Sequence, residues 1–101
     1  MSISFIKALL DQLEIPVAYD HFKEKINPPF VAYREIKPES FMADDYNYFN
    51  YLSFEVELGT SKKDIELESK IETLFFNNKI PFEKEEDWDE QEKFYRIIYT
   101  I

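Results

Sequence analysis

The stretch whose reading decides the fold is Leu52-Ser53-Phe54-Glu55-Val56-Glu57-Leu58, followed by Gly59-Thr60-Ser61-Lys62-Lys63-Asp64. Leu52, Phe54, Val56 and Leu58 fall on one side of an extended chain, and Ser53, Glu55 and Glu57 on the other. An apolar row opposite an acidic row at period two predicts a strand, over about 49–58, in a sheet covered on one face only. Gly59-Thr60-Ser61 closes that strand. Ser61-Lys62-Lys63-Asp64 then fits the capping pattern of a hydroxyl followed three residues later by an acid.

The period changes after that cap. Leu67, Ile71, Leu74 and Phe75 make the buried stripe of a helix running to about Asn77, with Asn77-Asn78 as its left-handed stop. Glu66 and Lys70 are spaced to pair on its outside. Residues 80–86 and 93–101 read as the last two strands, joined by the acidic run Glu85-Glu86-Asp87-Trp88-Asp89-Glu90 as a hairpin loop. Tyr95, Ile97, Tyr99 and Ile101 alternate with Phe94, Arg96, Ile98 and Thr100, so the final strand carries apolar groups on both faces and is predicted to be central.

Before the deciding stretch, Ile6, Leu9, Leu10 and Leu13 hold the i, i+3, i+4, i+7 spacing of a helix over about 3–13, capped by Ser2 or Ser4 and ended by Pro16. Pro16-Val17-Ala18-Tyr19 and Pro29-Phe30-Val31-Ala32-Tyr33 are short strands entered through proline, where no ladder hydrogen bond is lost. The second spans about 29–37. The order α-β-β-β-α-β-β predicts one α+β domain over 1–101: a mainly antiparallel sheet of four to five strands with two helices on one face. Gly59 is the only glycine, so left-handed turn positions are expected to fall mainly to Asn and Asp.

Composition narrows the chemistry. Twelve basic against 21 acidic residues leave a formal charge of −9, and the Lys and Arg are scattered, which argues against phosphate-backbone binding. Cysteine is absent, which removes disulfides and thiolate metal sites. Residues 1–15 lack the basic start and apolar core of a signal peptide. No run reaches the roughly 20 apolar residues of a membrane span. A soluble intracellular protein is expected, without membrane or sequence-specific nucleic-acid binding.

His21 is the single histidine, so a site of several imidazoles is impossible. Asp20 and His21, as strand neighbours, are expected to point to opposite faces and form no dyad. One glycine leaves no phosphate loop, and no serine sits in an elbow motif. Asp44-Asp45 and Glu85-Glu86-Asp87 lack the ligand spacing of a calcium loop. Neither catalytic residues nor a metal or cofactor site is expected. What stands out is apolar excess in the connection Pro38–Phe49. Phe41, Met42, Tyr46, Tyr48 and Phe49 either fold over the sheet or form a subunit contact, since aromatics and Met gather at interfaces. Trp88 is a second candidate of that kind.

Several of these segments together resemble the small tail-completion, or tail-terminator, proteins of long-tailed phages and prophages of Gram-positive bacteria. They are Pro16-Val17-Ala18-Tyr19-Asp20-His21-Phe22, Pro28-Pro29-Phe30-Val31-Ala32-Tyr33, Ala43-Asp44-Asp45, Phe54-Glu55-Val56-Glu57-Leu58, Thr60-Ser61-Lys62-Lys63-Asp64 and Phe94-Tyr95-Arg96-Ile97-Ile98-Tyr99. The resemblance implies a virion structural protein, assembled in the bacterial host cytoplasm. Its copies would form a ring, usually of six, at the head-proximal end of the tail tube. Such a ring stops tube growth and gives the head-tail connector proteins a docking face. Its partners would be itself, the tail-tube protein and the connector; whether the isolated chain is monomeric is left open. It implies no catalytic residue. Two alternatives stand beside it: a head-completion or adaptor protein of the neck, and a small acidic inhibitor that mimics DNA, which would spread its acids along one elongated face.

If the aromatic connection is a subunit contact, Phe41→Asp and Tyr48→Asp should leave the monomer folded, by circular dichroism, while weakening ring formation or tail joining. Normal assembly of both variants would remove 38–49 from the interface.

Overall fold

The computed structural model of the chain describes residues 2–36 and 53–101. Helix α1 (Ile3–Asp11) starts where Ser2 accepts a hydrogen bond from Phe5 N at 3.1 Å, a cap worth about 1 kcal/mol. The helix ends at Asp11, two residues before the expected end. Glu14 turns the chain with φ 59 before Pro16 is reached. Strand β1 (Val17–Tyr19) is followed by β2 (Phe30–Ile36), β3 (Ser53–Thr60), helix α2 (Ile65–Asn77), β4 (Glu83–Asp89) and β5 (Phe94–Thr100). The sheet order is β1-β2-β3-β5-β4. The α+β class, the element order and the mainly antiparallel sheet are as the periodicities predict.

Register builds the core. On one face Val31, Leu58 and Ile97 stand in a row across β2, β3 and β5, and Tyr33, Val56 and Tyr99 make the next row. All are buried, together with Ile6, Leu9 and Leu10 from α1, Leu13 just after it, and Ile71 and Phe75 from α2. Each fully buried Leu, Ile or Phe contributes roughly 1.5–3 kcal/mol. Phe75, Phe82 and Tyr99 close the α2 side as three mutually inclined rings with centroids 5.3–5.6 Å apart.

Three expectations are corrected, and the direction of β1, which the periodicities leave open, is added. The acidic run 85–90 is not a hairpin loop: most of it lies in β4, and residues 90–93 turn the chain into β5. β1 pairs parallel to β2, because Asp20 leaves β1 in a left-handed conformation, φ 67, and residues 20–29 carry the chain back to the same end. Asp64, not Ser61, caps α2, accepting from Leu67 N at 3.0 Å. Among the described residues the left-handed positions are Glu14, Asp20, Lys79 and Lys93, so Asx residues supply only one of these, and the stop after α2 is Lys79 rather than Asn78.

The two core rows end at β4 in charge rather than in carbon. Glu86 continues the Ile97 row and Lys84 the Tyr99 row, directly under α2. Glu68 of α2, only 4 % exposed, faces them. Its Oε1 lies 2.7 Å from Lys84 Nζ and its Oε2 2.9 Å from Lys63 Nζ. Lys84 also reaches Glu72 at 2.8 Å, Lys63 reaches Glu86, and the buried Tyr99 hydroxyl donates to Glu72 at 2.7 Å. The ion pairs of α2 therefore run inward through Glu68 and Glu72.

Burial pushes the Glu68 carboxyl up, but the Lys84 and Lys63 ammonium groups outweigh it and hold the group below the usual carboxylate range. A depressed folded value means stability that is present above the unfolded value near 4.5 and lost as pH falls through the folded one. Glu68→Gln should cost about 1–2 kcal/mol at pH 7, less than the roughly 3–5 of a wholly buried pair because both lysines keep partial solvent contact. Urea unfolding should show the gap between wild type and Glu68→Gln shrinking between pH 5 and pH 3. A gap independent of pH would mean that the ion pairs contribute nothing.

Candidate functional site: the open acidic face of the sheet

Among the described residues, the other face of the sheet has no helix on it. Alternation places Ala32, Glu57, Ile98 and Glu85 in one row across β2, β3, β5 and β4, with Ala18 of β1 extending it. Arg34, Glu55, Thr100 and Glu83 make the row on one side. Phe30, Gly59, Arg96 and Asp87 make the row on the other. Asp89, opposite Phe94, ends the β4 side. All four β4 side chains on this face are thus carboxylates.

Six acids and two arginines share the surface. Arg34 Nε lies 3.3 Å from Glu55, and Arg96 holds Asp87. Among the described residues this leaves Glu57, Glu83, Glu85 and Asp89 without a cationic partner on the face, a net charge of about −4. Burial pushes the Glu57 carboxyl up, Arg96 offsets part of that, and Glu55, Asp89 and Asp87 add to it.

One end of the face is closed by the 20–29 connection. Phe22 packs edge-on to Phe30 at 5.6 Å, and Phe30 edge-on to Phe94 at 5.3 Å. Lys25 reaches Glu92 in the β4–β5 turn at 3.2 Å. Gly59 lies beneath the Phe30 ring. A Cβ there would stand 2.5–2.9 Å from the ring carbons, so the sole glycine serves close approach in a strand rather than a turn.

The candidates from sequence separate clearly. Phe41, Met42, Tyr46, Tyr48 and Phe49 lie outside the described residues, as does Asp44-Asp45. Trp88 is 40 % exposed. It sits on the helix side of β4, packed 4.7 Å from the Tyr95 ring, and donates through Nε1 to Glu90 at 2.7 Å. Asp20 and His21 are not opposed: the strand ends at Tyr19, alternation lapses, and His21 Nδ1 donates to Asp20 Oδ2 at 2.9 Å. Both side chains are at least half exposed, so the contact is a surface pair. Among the described residues no group of three or more His, Asp or Glu side chains is arranged to hold a metal ion. A shallow groove of about 370 Å³ lies between Gln12 and Leu13 after α1 and Ser69, Lys70 and Thr73 of α2. Sequence reasoning missed the β4 carboxylate row because Glu85, Asp87 and Asp89 fall in the stretch expected to be a hairpin loop. The signal was their strict two-residue spacing from Glu83 to Asp89.

Gly59→Ala should destabilise the domain by about 1–3 kcal/mol by forcing the Phe30 ring off its seat. In the Phe30→Ala background the same change should cost less than half as much, a coupling readable from urea midpoints. Additive costs would place the strain elsewhere.

No helix of the described residues is long and apolar enough to cross a membrane. Comparison with protein-family models, with curated proteins and with solved structures finds no match to the chain.

Proposed function

We propose that the protein is a non-enzymatic assembly subunit of a phage or prophage tail, a tail-completion or terminator protein that acts in the virion as a ring of copies. The observation that carries this reading is the division of the domain into a helix-covered face and an open, acidic sheet face. The resemblance of the strand and helix-cap segments to that family supports it.

In a ring, six copies at −9 each carry −54 formal charges. Open faces turned toward the lumen would repel passing DNA. Two open faces cannot pack on each other without bringing like charges together. Ring closure would therefore use other surfaces in a heterologous, head-to-tail contact, leaving the acidic face for the lumen or for a basic partner.

A second reading, the DNA-mimic inhibitor, draws on one specific observation. Glu83, Glu85, Asp87 and Asp89 form a straight row of about 20 Å, taking two residues as about 6.7 Å of strand. Arg34 and Arg96 within the same face weigh against it, since they lower the charge density that mimicry needs.

Light scattering on the purified chain over a wide concentration range, followed by negative-stain imaging, separates the two. The tail reading expects closed rings, alone or on the ends of purified tail tubes, and their absence under both conditions would overturn it. The mimic reading expects a monomer that binds a DNA-handling enzyme with strong salt dependence.

A further inference from the structure

We propose that the free edge of β4 is a strand-addition site for an extended protein segment with Lys or Arg at every second position. Two independent features meet at this edge. The first is backbone. β4 is the last strand of the sheet and pairs only with β5 among the described residues. About half of its peptide groups therefore turn outward, as donors and acceptors ready for another ladder.

The second feature is the side-chain row. Every open-face residue of β4 is an acid: Glu83, Glu85, Asp87 and Asp89. Their spacing of two residues is also the spacing of same-face side chains on any strand added alongside. An added segment in register would place one cation opposite each carboxylate, within the distance at which cross-strand pairs interact. Main-chain bonds would supply affinity, and the alternate charges specificity.

The other face of the edge refines the partner. There the strand carries Lys84, Glu86 and Trp88, with Lys84 and Glu86 already held by α2 and by Lys63. Trp88, half exposed against Tyr95, would favour one aromatic or β-branched residue at the facing position of the segment.

A second copy of β4 does not fit. In the antiparallel pairing of a two-fold dimer with continuous open faces, acids would stand opposite acids. Protection of the edge against such pairing would need no more than one or two charges, whereas here the whole face of the strand is charged with one sign. The inference is independent of the tail-assembly reading, because it concerns an edge and a partner chemistry that any acidic interaction module would share.

The test uses the full chain and three nine-residue peptides: Lys alternating with Thr or Val, the same composition with the Lys residues contiguous, and the alternating peptide N-methylated along one edge. Amide hydrogen exchange and NMR titration at low salt should show the alternating peptide protecting β4 amides that β5 leaves unpaired. The N-methylated peptide should give no such protection. Glu83→Lys with Glu85→Lys, both exposed positions, should weaken the alternating Lys peptide about tenfold or more, and a peptide with Glu facing the two new lysines and Lys facing Asp87 and Asp89 should bind the double variant instead. Equal binding of the contiguous peptide, or shifts without amide protection, would reduce the effect to general charge attraction and overturn the proposal. So would no binding at low salt.

Discussion

The arrangement depends on the register between β3 and β5. Val56 opposite Tyr99 and Leu58 opposite Ile97 place both apolar rows under the helices. A slip of one residue would exchange them for Glu55, Glu57, Arg96 and Ile98. The alternation of β3 therefore does more than build a core. It also sends the charged residues of β3, Glu55 and Glu57, to the opposite face. β2 inherits the choice through Val31 and Tyr33, and β4 inherits it through β5. The acidity of the open face follows from one register.

β4 shows how far that constraint reaches. Nothing apolar on its helix side enters the core, since Lys84 and Glu86 stand where the rows would otherwise continue. The strand is held by its ladder to β5, by the Glu68 and Glu72 carboxylates above it and by Trp88 on Tyr95. An ion pair of this kind adds little net stability over a hydrophobic replacement, but leaving one partner alone is expensive. It selects position and register more than it strengthens the fold. An edge strand held this way can remain charged on both faces and still be ordered.

This also explains what was legible in the sequence. β3 and both helices were readable because a half-buried strand and a one-sided helix impose periods of 2 and 3.6 on apolar residues. β4 was readable only in its first half, as part of the strand expected over 80–86; residues 87–89 were not, because Asp is a poor strand former and a strand wet on both sides shows no apolar alternation. The parallel direction of β1 was hidden for another reason. It turns on the left-handed Asp20 and on Tyr33 O accepting from Asp20 N at 2.6 Å, neither of which hydropathy reports. Glu68 shares the helix face of Ile71 and Phe75, but hydropathy does not report that Lys63 and Lys84 converge on it. Of the candidate contact residues only Trp88 lies among those described, and its role at an edge strand rather than a loop came from the structure alone.

The location of the charge bears on whether it serves solubility or recognition. A solubility charge would be spread over the whole surface. Here the exposed side of α1 pairs Lys7 with Asp11 at 2.8 Å, and α2 carries Glu66 and Lys70, one charge of each sign, at exposed positions, so both helices present nearly neutral surfaces. The opposite side keeps four carboxylates without a cation on the face. Such an asymmetry orients the molecule in the field of a charged partner before contact. It presents the open face and the β4 edge first to anything basic, and turns both away from nucleic acid. That direction is what the proposed lumen or basic partner would use, since a like-charged molecule is repelled from this side and an oppositely charged one is drawn to it.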